Sequence, residues 1–198
     1  YSLVYGRLIS QAVDPIEKKP LFHVLPGSDA LSIATVGCNF RCSFCQNSSI
    51  SQLPRDHQLV EGTYVPPEQV VSAARRYRCG SIAYTYTEPT VFFEYTYDVA
   101  RLAHEAGILS VYVSNGYMTE EALDLLAPRD GERLLDAANV DLKAFTDGFY
   151  REQCGARLQP VLDSLVRMKE RGVWLEVTTL VIPTLNDSDE ELGQIAGF

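Results

Sequence analysis

Leu31-Ser32-Ile33-Ala34-Thr35-Val36-Gly37-Cys38-Asn39-Phe40-Arg41-Cys42-Ser43-Phe44-Cys45 decides how the rest of this chain is read. Residues 31–36 are an apolar run of strand length, and a glycine then releases the chain into a C-x3-C-x2-C loop. Thiolates this close in sequence can converge on one face of an iron–sulfur cluster. A cubane has four irons and the loop offers three ligands, Cys38, Cys42 and Cys45. Either a distant residue completes the set or one iron is left open for chemistry. On the cysteine run alone a zinc site or an ordinary ferredoxin-type cluster also stays open.

Outward from that stretch, apolar runs alternate with amphipathic ones. After a polar loop of about twenty residues, a length that is usually functional or mobile, a helix is predicted from Pro66-Pro67-Glu68, carrying Val70, Val71 and Ala74. A strand follows over 81–86. The helix expected over 92–106 sets Tyr95, Val99, Leu102 and Ala106 on one face and ends at Gly107. Residues 108–113 and 138–142 read as strands, separated by a short helix from the N-cap Thr119 to before Pro128. Val161, Leu165 and Met168 mark a helix closed by Gly172, and 173–182 a fifth strand ending at Pro183. Ser188 and Glu191 form an S-x-x-E capping box for a last helix.

Such alternation implies βαβ units and a parallel sheet, with right-handed crossovers leaving a doubly wound sheet or a barrel. Both place their sites at the C-terminal ends of the strands. The cysteine loop, Tyr86-Thr87-Glu88-Pro89, Ser114-Asn115-Gly116 and Asp141-Leu142-Lys143 all fall there. Asp141 and Lys143 alternate with Leu142, so both face the same side. A lumen-facing Glu176 would suit ligand binding. Tyr84 and Tyr86 share a strand face and read either as lumen lining or as core. Cys79 and Cys154 read as incidental thiols, and His104 as part of a solvated helix face. The first thirty residues break the pattern. Asp14-Pro15 and Pro26-Gly27 signal turns around an exposed charged Glu17-Lys18-Lys19, so residues 1–30 read as an N-terminal extension packed on the unit 31–198.

Composition narrows the class. At 198 residues and 46% hydrophobic the chain can bury a full core as one domain. Its net charge of −9 argues against nucleic acid as a partner, and no apolar run is long enough for a membrane span. Five cysteines, three of them clustered, suit a reducing cytoplasm and a metal site better than a disulfide framework. The chain opens on Tyr1 without an initiator methionine and ends inside the last helix, which predicts a C-terminally truncated piece.

C-x3-C-x-aromatic-C, with Phe44 as the aromatic, resembles the signature of the radical S-adenosylmethionine (SAM) superfamily. Together with Asp14-Pro15-Ile16-Glu17-Lys18-Lys19-Pro20, Pro26-Gly27, Cys45-Gln46-Asn47, Tyr84-Thr85-Tyr86-Thr87-Glu88-Pro89-Thr90, Ser114-Asn115-Gly116-Tyr117 and Asp141-Leu142-Lys143, the string is similar to the radical SAM protein of the AmmeMemoRadiSam system. That group is in turn similar to the activating enzyme of pyruvate formate-lyase. The resemblance spans nearly the whole chain. It implies an α/β partial (β/α)6 TIM-like barrel whose sixth strand is missing from this chain.

By that resemblance Cys38, Cys42 and Cys45 hold a [4Fe-4S] cluster and SAM chelates the fourth iron. An electron from a flavodoxin- or ferredoxin-type donor then cleaves SAM to a 5′-deoxyadenosyl radical that abstracts hydrogen from a substrate. Phe44 would lie near the adenine. Tyr86 and Thr87, where relatives carry two glycines, would offer backbone carbonyls to the SAM ammonium, with Glu88 in support. Ser114 and Asn115 would meet the ribose or methionine end. Asp141 would border a cation site whose second acid is replaced here by Val113, and Lys143 would meet the SAM carboxylate or the substrate. The substrate implied is a protein or peptide, with a Memo-like protein as partner. Bland roles remain for several of these residues: a turn for Asn115-Gly116, a helix cap for Glu88, an ion pair for Asp141 and Lys143. The rival class is a non-catalytic zinc or iron–sulfur interaction module.

Overall fold

The structure is a computed structural model that describes residues 2–198. Its centre is a six-stranded sheet in the order β2 (Ser10–Pro15), β3 (Asp29–Ala34), β5 (Ser81–Tyr84), β6 (Leu109–Ser114), β7 (Ala137–Asp141) and β8 (Trp174–Thr178). The five strands from β3 onward are parallel, as the alternating pattern predicts, and β2 is antiparallel to β3. The edge strands β2 and β8 do not pair with each other, so the sheet is an open partial barrel. A separate ribbon joins β1 (Arg7–Leu8) to β4 (Thr63–Tyr64).

Helices cover the convex face. The long polar loop folds into two short turns, α1 (Ser48–Ser51) and α2 (Leu53–His57). The crossovers are α3 (Pro67–Arg76), α4 (Phe93–Glu105), α5 (Glu120–Leu126), α6 (Asp147–Phe149) and α7 (Gln159–Glu170). A last helix, α8 (Asp189–Gly197), follows β8. Leu31, Ile33, Ile82, Tyr84, Tyr112, Ala138 and Val140 point outward into one core with Val70, Val99, Leu123 and Leu165 of the helices. Tyr84 is therefore core, set edge-on to Tyr112 at 5.3 Å. Among the described residues no helix is long and apolar enough to cross a membrane.

The concave face is packed differently. Its lower residues, Ala30, Ala83, Val111 and Ala137, are small or short, and Ile16 and Leu21 fill the space they leave. The N-terminal segment thus supplies a strand and then a plug. Lys19, expected in an exposed charged turn, is 1% exposed because its neighbours Ile16 and Leu21 carry it into the lumen. From there the chain runs beneath the sheet. Asn139 of β7 donates to the Pro20 carbonyl at 3.1 Å. Glu176 of β8 accepts from the Phe22 and His23 amides at 3.0 Å. Glu176 is thus a tie across the open side, not a group aimed at a ligand.

Two local expectations change. The Ser188 hydroxyl caps α8 by accepting from Glu191 N–H, but the Glu191 carboxylate turns to the Phe145 amide at 2.7 Å and leaves the capping box half formed. His104 is 15% exposed on its side chain and bonds Asp136 at 2.8 Å, which takes it off the solvated face.

Burial raises the Glu176 carboxyl, but the two backbone amides, Trp174 and His23 outweigh it and hold the carboxyl below its ordinary value. Stability from this group is therefore present above the unfolded carboxylate range of about pH 4.3 and is lost as pH falls through the lowered folded value. Glu176→Ala should destabilise the protein by about 1–2 kcal/mol near neutrality, the loss of charge-assisted bonds. The gap to the parent should narrow at about pH 3.5, with urea midpoints at the two pH values as the measure.

Candidate active site

The cysteine loop leaves β3 through Gly37, whose φ of +107° favours glycine and whose added Cβ would meet Val91 at 3.2 Å. The loop has no regular structure of its own and is held by neighbours. Phe40 is buried against Tyr117 and Tyr150, with ring centroids 5.2 and 6.2 Å away. The Arg41 and Ser43 amides donate to the Cys154 and Gln153 carbonyls, both at 2.9 Å. Those carbonyls belong to a π turn, Tyr150–Cys154, that continues α6. π turns often mark functional sites. Cys154 is buried beside Cys42, so it backs the cysteine loop and is no loop bystander. Sequence periodicity carries no signal for an extra residue in a helical turn, and Gly155 was its only local mark.

Cys38, Cys42 and Cys45 open onto one cavity of about 560 Å³, which Phe44, Glu88, Ser114, Asn115, Asp141 and Lys143 also border. All five cysteines are free thiols. Burial and the nearby Glu88 push the Cys38 thiol up to about 12. The Cys154 contact, with burial, raises that of Cys42. Thiolate ligation here has to be driven by positive charge such as iron carries. Three cysteines lining one cavity of this size fit a cluster and a bound small molecule.

Glu88 organises the rim. It is 2% exposed, and burial raises its carboxyl even though its acceptors are occupied. One oxygen accepts from Thr90 N at 3.2 Å, Thr90 Oγ1 at 3.1 Å and Ser114 Oγ at 2.9 Å, and the other from Asn115 N at 2.9 Å. It thus caps the turn at 89–92 and ties the end of β5 to the end of β6. Asn115 extends the tie, its Nδ2 donating to Asn39 Oδ1 at 2.7 Å and its Oδ1 accepting from Tyr117 N at 2.9 Å. Asn115 therefore serves the turn and also borders the cavity.

Tyr86 lies at the apex of a three-residue turn closed by Thr87 N–H to Thr85 O at 2.8 Å, with φ at +65°. A side chain in that region costs on the order of 1–3 kcal/mol. The chain so adopts, without glycine, a conformation glycine would take freely. The Tyr86 carbonyl accepts from Asn47 Nδ2 at 2.8 Å, and Thr87 Oγ1 donates to Thr35 O at 2.9 Å. Across the cavity Lys143 pairs with Asp141 at 2.9 Å and lies 5.9 Å from the centre of the Phe44 ring. Burial lowers the Lys143 ammonium, but Asp141 together with Cys42 and Cys154 outweighs it and the net direction is up. Val113 borders the same space.

An open α/β barrel with a three-thiol loop and polar rim motifs at one end of its strands defines a cofactor-dependent site at the usual face of such sheets. The model of the radical SAM superfamily matches residues 32–196, and the chain belongs to that superfamily. Its members use a [4Fe-4S] cluster and S-adenosylmethionine. The chain is 45% identical to an uncharacterised protein of Methanocaldococcus jannaschii over all of its own length and 56% of that protein's. It is 24% identical to the pyruvate formate-lyase-activating enzyme of Clostridium pasteurianum, over 82% of this chain and 66% of the enzyme. It thus spans between 56% and 66% of these curated relatives. In fold it is similar to Streptococcus suis SuiB bound to S-adenosylmethionine, with a TM-score of 0.63 at 14% identity over 82% of this chain and 35% of that one. A domain of the pyruvate-formate lyase-activating enzyme from Bacteroides vulgatus gives 0.53 at 17% identity over 60% and 70%.

Glu88→Ala should orphan the Asn115 amide and the Ser114 hydroxyl and destabilise the protein by about 2–4 kcal/mol. Glu88→Gln should lose about half of that, because an amide keeps only one acceptor oxygen. Urea unfolding followed by far-ultraviolet circular dichroism measures both.

Proposed function

We propose that this chain is the catalytic portion of a radical SAM enzyme that abstracts hydrogen from a protein or peptide, with Cys38, Cys42 and Cys45 as cluster ligands. The observation carrying this reading is that the three cysteines line one cavity together with Glu88, Ser114 and Asn115 of the rim. Bound there, the cofactors supply one-electron cleavage of the SAM sulfonium to methionine and a 5′-deoxyadenosyl radical, with a flavodoxin- or ferredoxin-type protein as donor.

The chain's own residues bind and orient. Tyr86 and Thr87 present backbone carbonyls to the SAM ammonium, and Tyr86 O keeps a lone pair beyond the one used by Asn47. Asn115 Oδ1 has a second acceptor site for a ribose hydroxyl, and Ser114 fixes that residue's place through Glu88. Phe44 offers its ring to the adenine. Lys143, held by Asp141, faces the SAM carboxylate or the substrate.

The rival, a non-catalytic zinc or iron–sulfur interaction module, gives Glu88, Asn115 and Lys143 no reason to border the same cavity as the three thiols. Strings shared with the AmmeMemoRadiSam group support that assignment, a Memo-like partner and, with five free thiols, a reducing cytoplasm.

Anaerobic reconstitution should give absorbance near roughly 400 nm and, on reduction with SAM, 5′-deoxyadenosine. Cys42→Ala should lose most of the cluster. A variant that keeps full iron and sulfide content removes Cys42 from the ligand set, and a parent chain that forms no cluster removes the function.

A further inference from the structure

We infer that the lumen floor carries a receptor for an anionic group of the substrate, built from Asp14, Lys18, Lys19 and Tyr86, with the Lys18 ammonium as the contacting group. The inference rests on the cofactor reading only in assigning the anion to the substrate.

The receptor follows from charge. Asp14 stands one residue before the end of β2, buried, with one carboxylate oxygen turned to each of two lysines. Lys18 Nζ lies 2.6 Å from Oδ1, and Lys19 Nζ 2.7 Å from Oδ2. Two ammoniums share one carboxylate, leaving one positive charge in excess. Burial alone would raise the Asp14 carboxyl, but bonds from Lys18, Lys19 and Tyr86 hold it well below the usual range, so it stays ionised.

The two lysines divide the work. Lys19 is spent inside: it meets Asp14, approaches the Tyr86 hydroxyl at 3.4 Å and sits 4.5 Å from the centre of the Tyr86 ring. A buried ammonium needs that many partners. Lys18 differs. Its side chain is 59% exposed, it borders the cavity that the three thiols enter, and Asp14 Oδ1 is its single hydrogen-bond partner among the described residues. Two of its three N–H groups are thus available to a ligand.

The other charged groups bordering the cavity are balanced: Glu88 already accepts four rim bonds, and the charge of Lys143 is matched by its own carboxylate, Asp141, which no second ammonium shares. An anion entering beyond the cofactors therefore finds one unbalanced cation, Lys18. Tyr86 fixes the distance between rim and receptor, since its backbone forms the rim turn while its hydroxyl donates to Asp14 Oδ2 below. Carboxylate and phosphate share the required chemistry, a compact anion accepting charge-assisted bonds.

The chain has four lysines, Lys18, Lys19, Lys143 and Lys169, so a protein labelled with carbon-13 lysine gives four resolvable ε-methylene signals. Inorganic phosphate and acetate are titrated separately into the cluster-loaded protein. The expected result is a saturable shift of the Lys18 signal with one or both, the stronger binder naming phosphate or carboxylate as the class. Lys18→Gln should weaken that binding about tenfold or more, read from the remaining lysine signals, whereas Lys18→Arg should retain it within about threefold. Absence of a saturable Lys18 shift with either anion, or equal affinity in Lys18→Gln, overturns the inference. Cluster content of the cysteine variants is read separately, so either assignment can fail alone.

Discussion

A parallel sheet has to cover both of its faces, and here the concave face is covered by the chain's own beginning. Ala30, Ala83, Val111 and Ala137 are too small to meet one another across the lumen, and Ile16 and Leu21 complete that core. Everything above depends on this plug. It closes the lower lumen, brings Asp14, Lys18 and Lys19 beneath the cavity, and leaves the upper lumen to polar side chains. The ties from Asn139 and Glu176 keep it under strands that a closed barrel would have joined directly.

Above the plug, order is imposed by hydrogen bonds more than by regular structure. The cysteine loop, the Tyr86 turn and the Ser114-Asn115-Gly116 turn have different backbone shapes, and Glu88, Asn39 and Asn115 lock them together. Gly116, at a φ of +72°, lets the last of these turns approach Val140 and Val161 where a Cβ would stand 2.8 and 3.2 Å away. A buried carboxylate that accepts four hydrogen bonds is costly to desolvate and rigid once satisfied. Rigidity of that kind is what a site needs if it is to position a small molecule against three thiols.

Much of this was legible in the sequence, for physical reasons. The five parallel strands are apolar runs bounded by turn residues, and burial on both faces makes such runs continuous. The cysteine spacing and rim motifs are chemically unusual and fall at strand ends. The N-terminal segment was not legible. Glu17-Lys18-Lys19 has the composition of a solvated turn, and only Asp14 and Tyr86, from β2 and the end of β5, explain why Lys19 can be buried. Cys154 was missed likewise, since its importance comes from the Arg41 and Cys42 contacts on a distant loop. Glu176 and Glu191 sit at helix- and strand-compatible positions, but their partners are backbone amides that no local pattern announces.

The π turn that grips the cysteine loop has a consequence for how the protein is made. Ser43 and Gln153, joined side chain to side chain at 2.7 Å, are separated by 110 residues. A chain emerging from the ribosome N-terminus first presents its three thiols long before the segment that shapes their loop has been synthesised. Over that interval the thiols are on a loop without its clamp, open to oxidation or stray metal. Native geometry at the cysteines is therefore a late event of biosynthesis, set by a segment from the far side of the sheet.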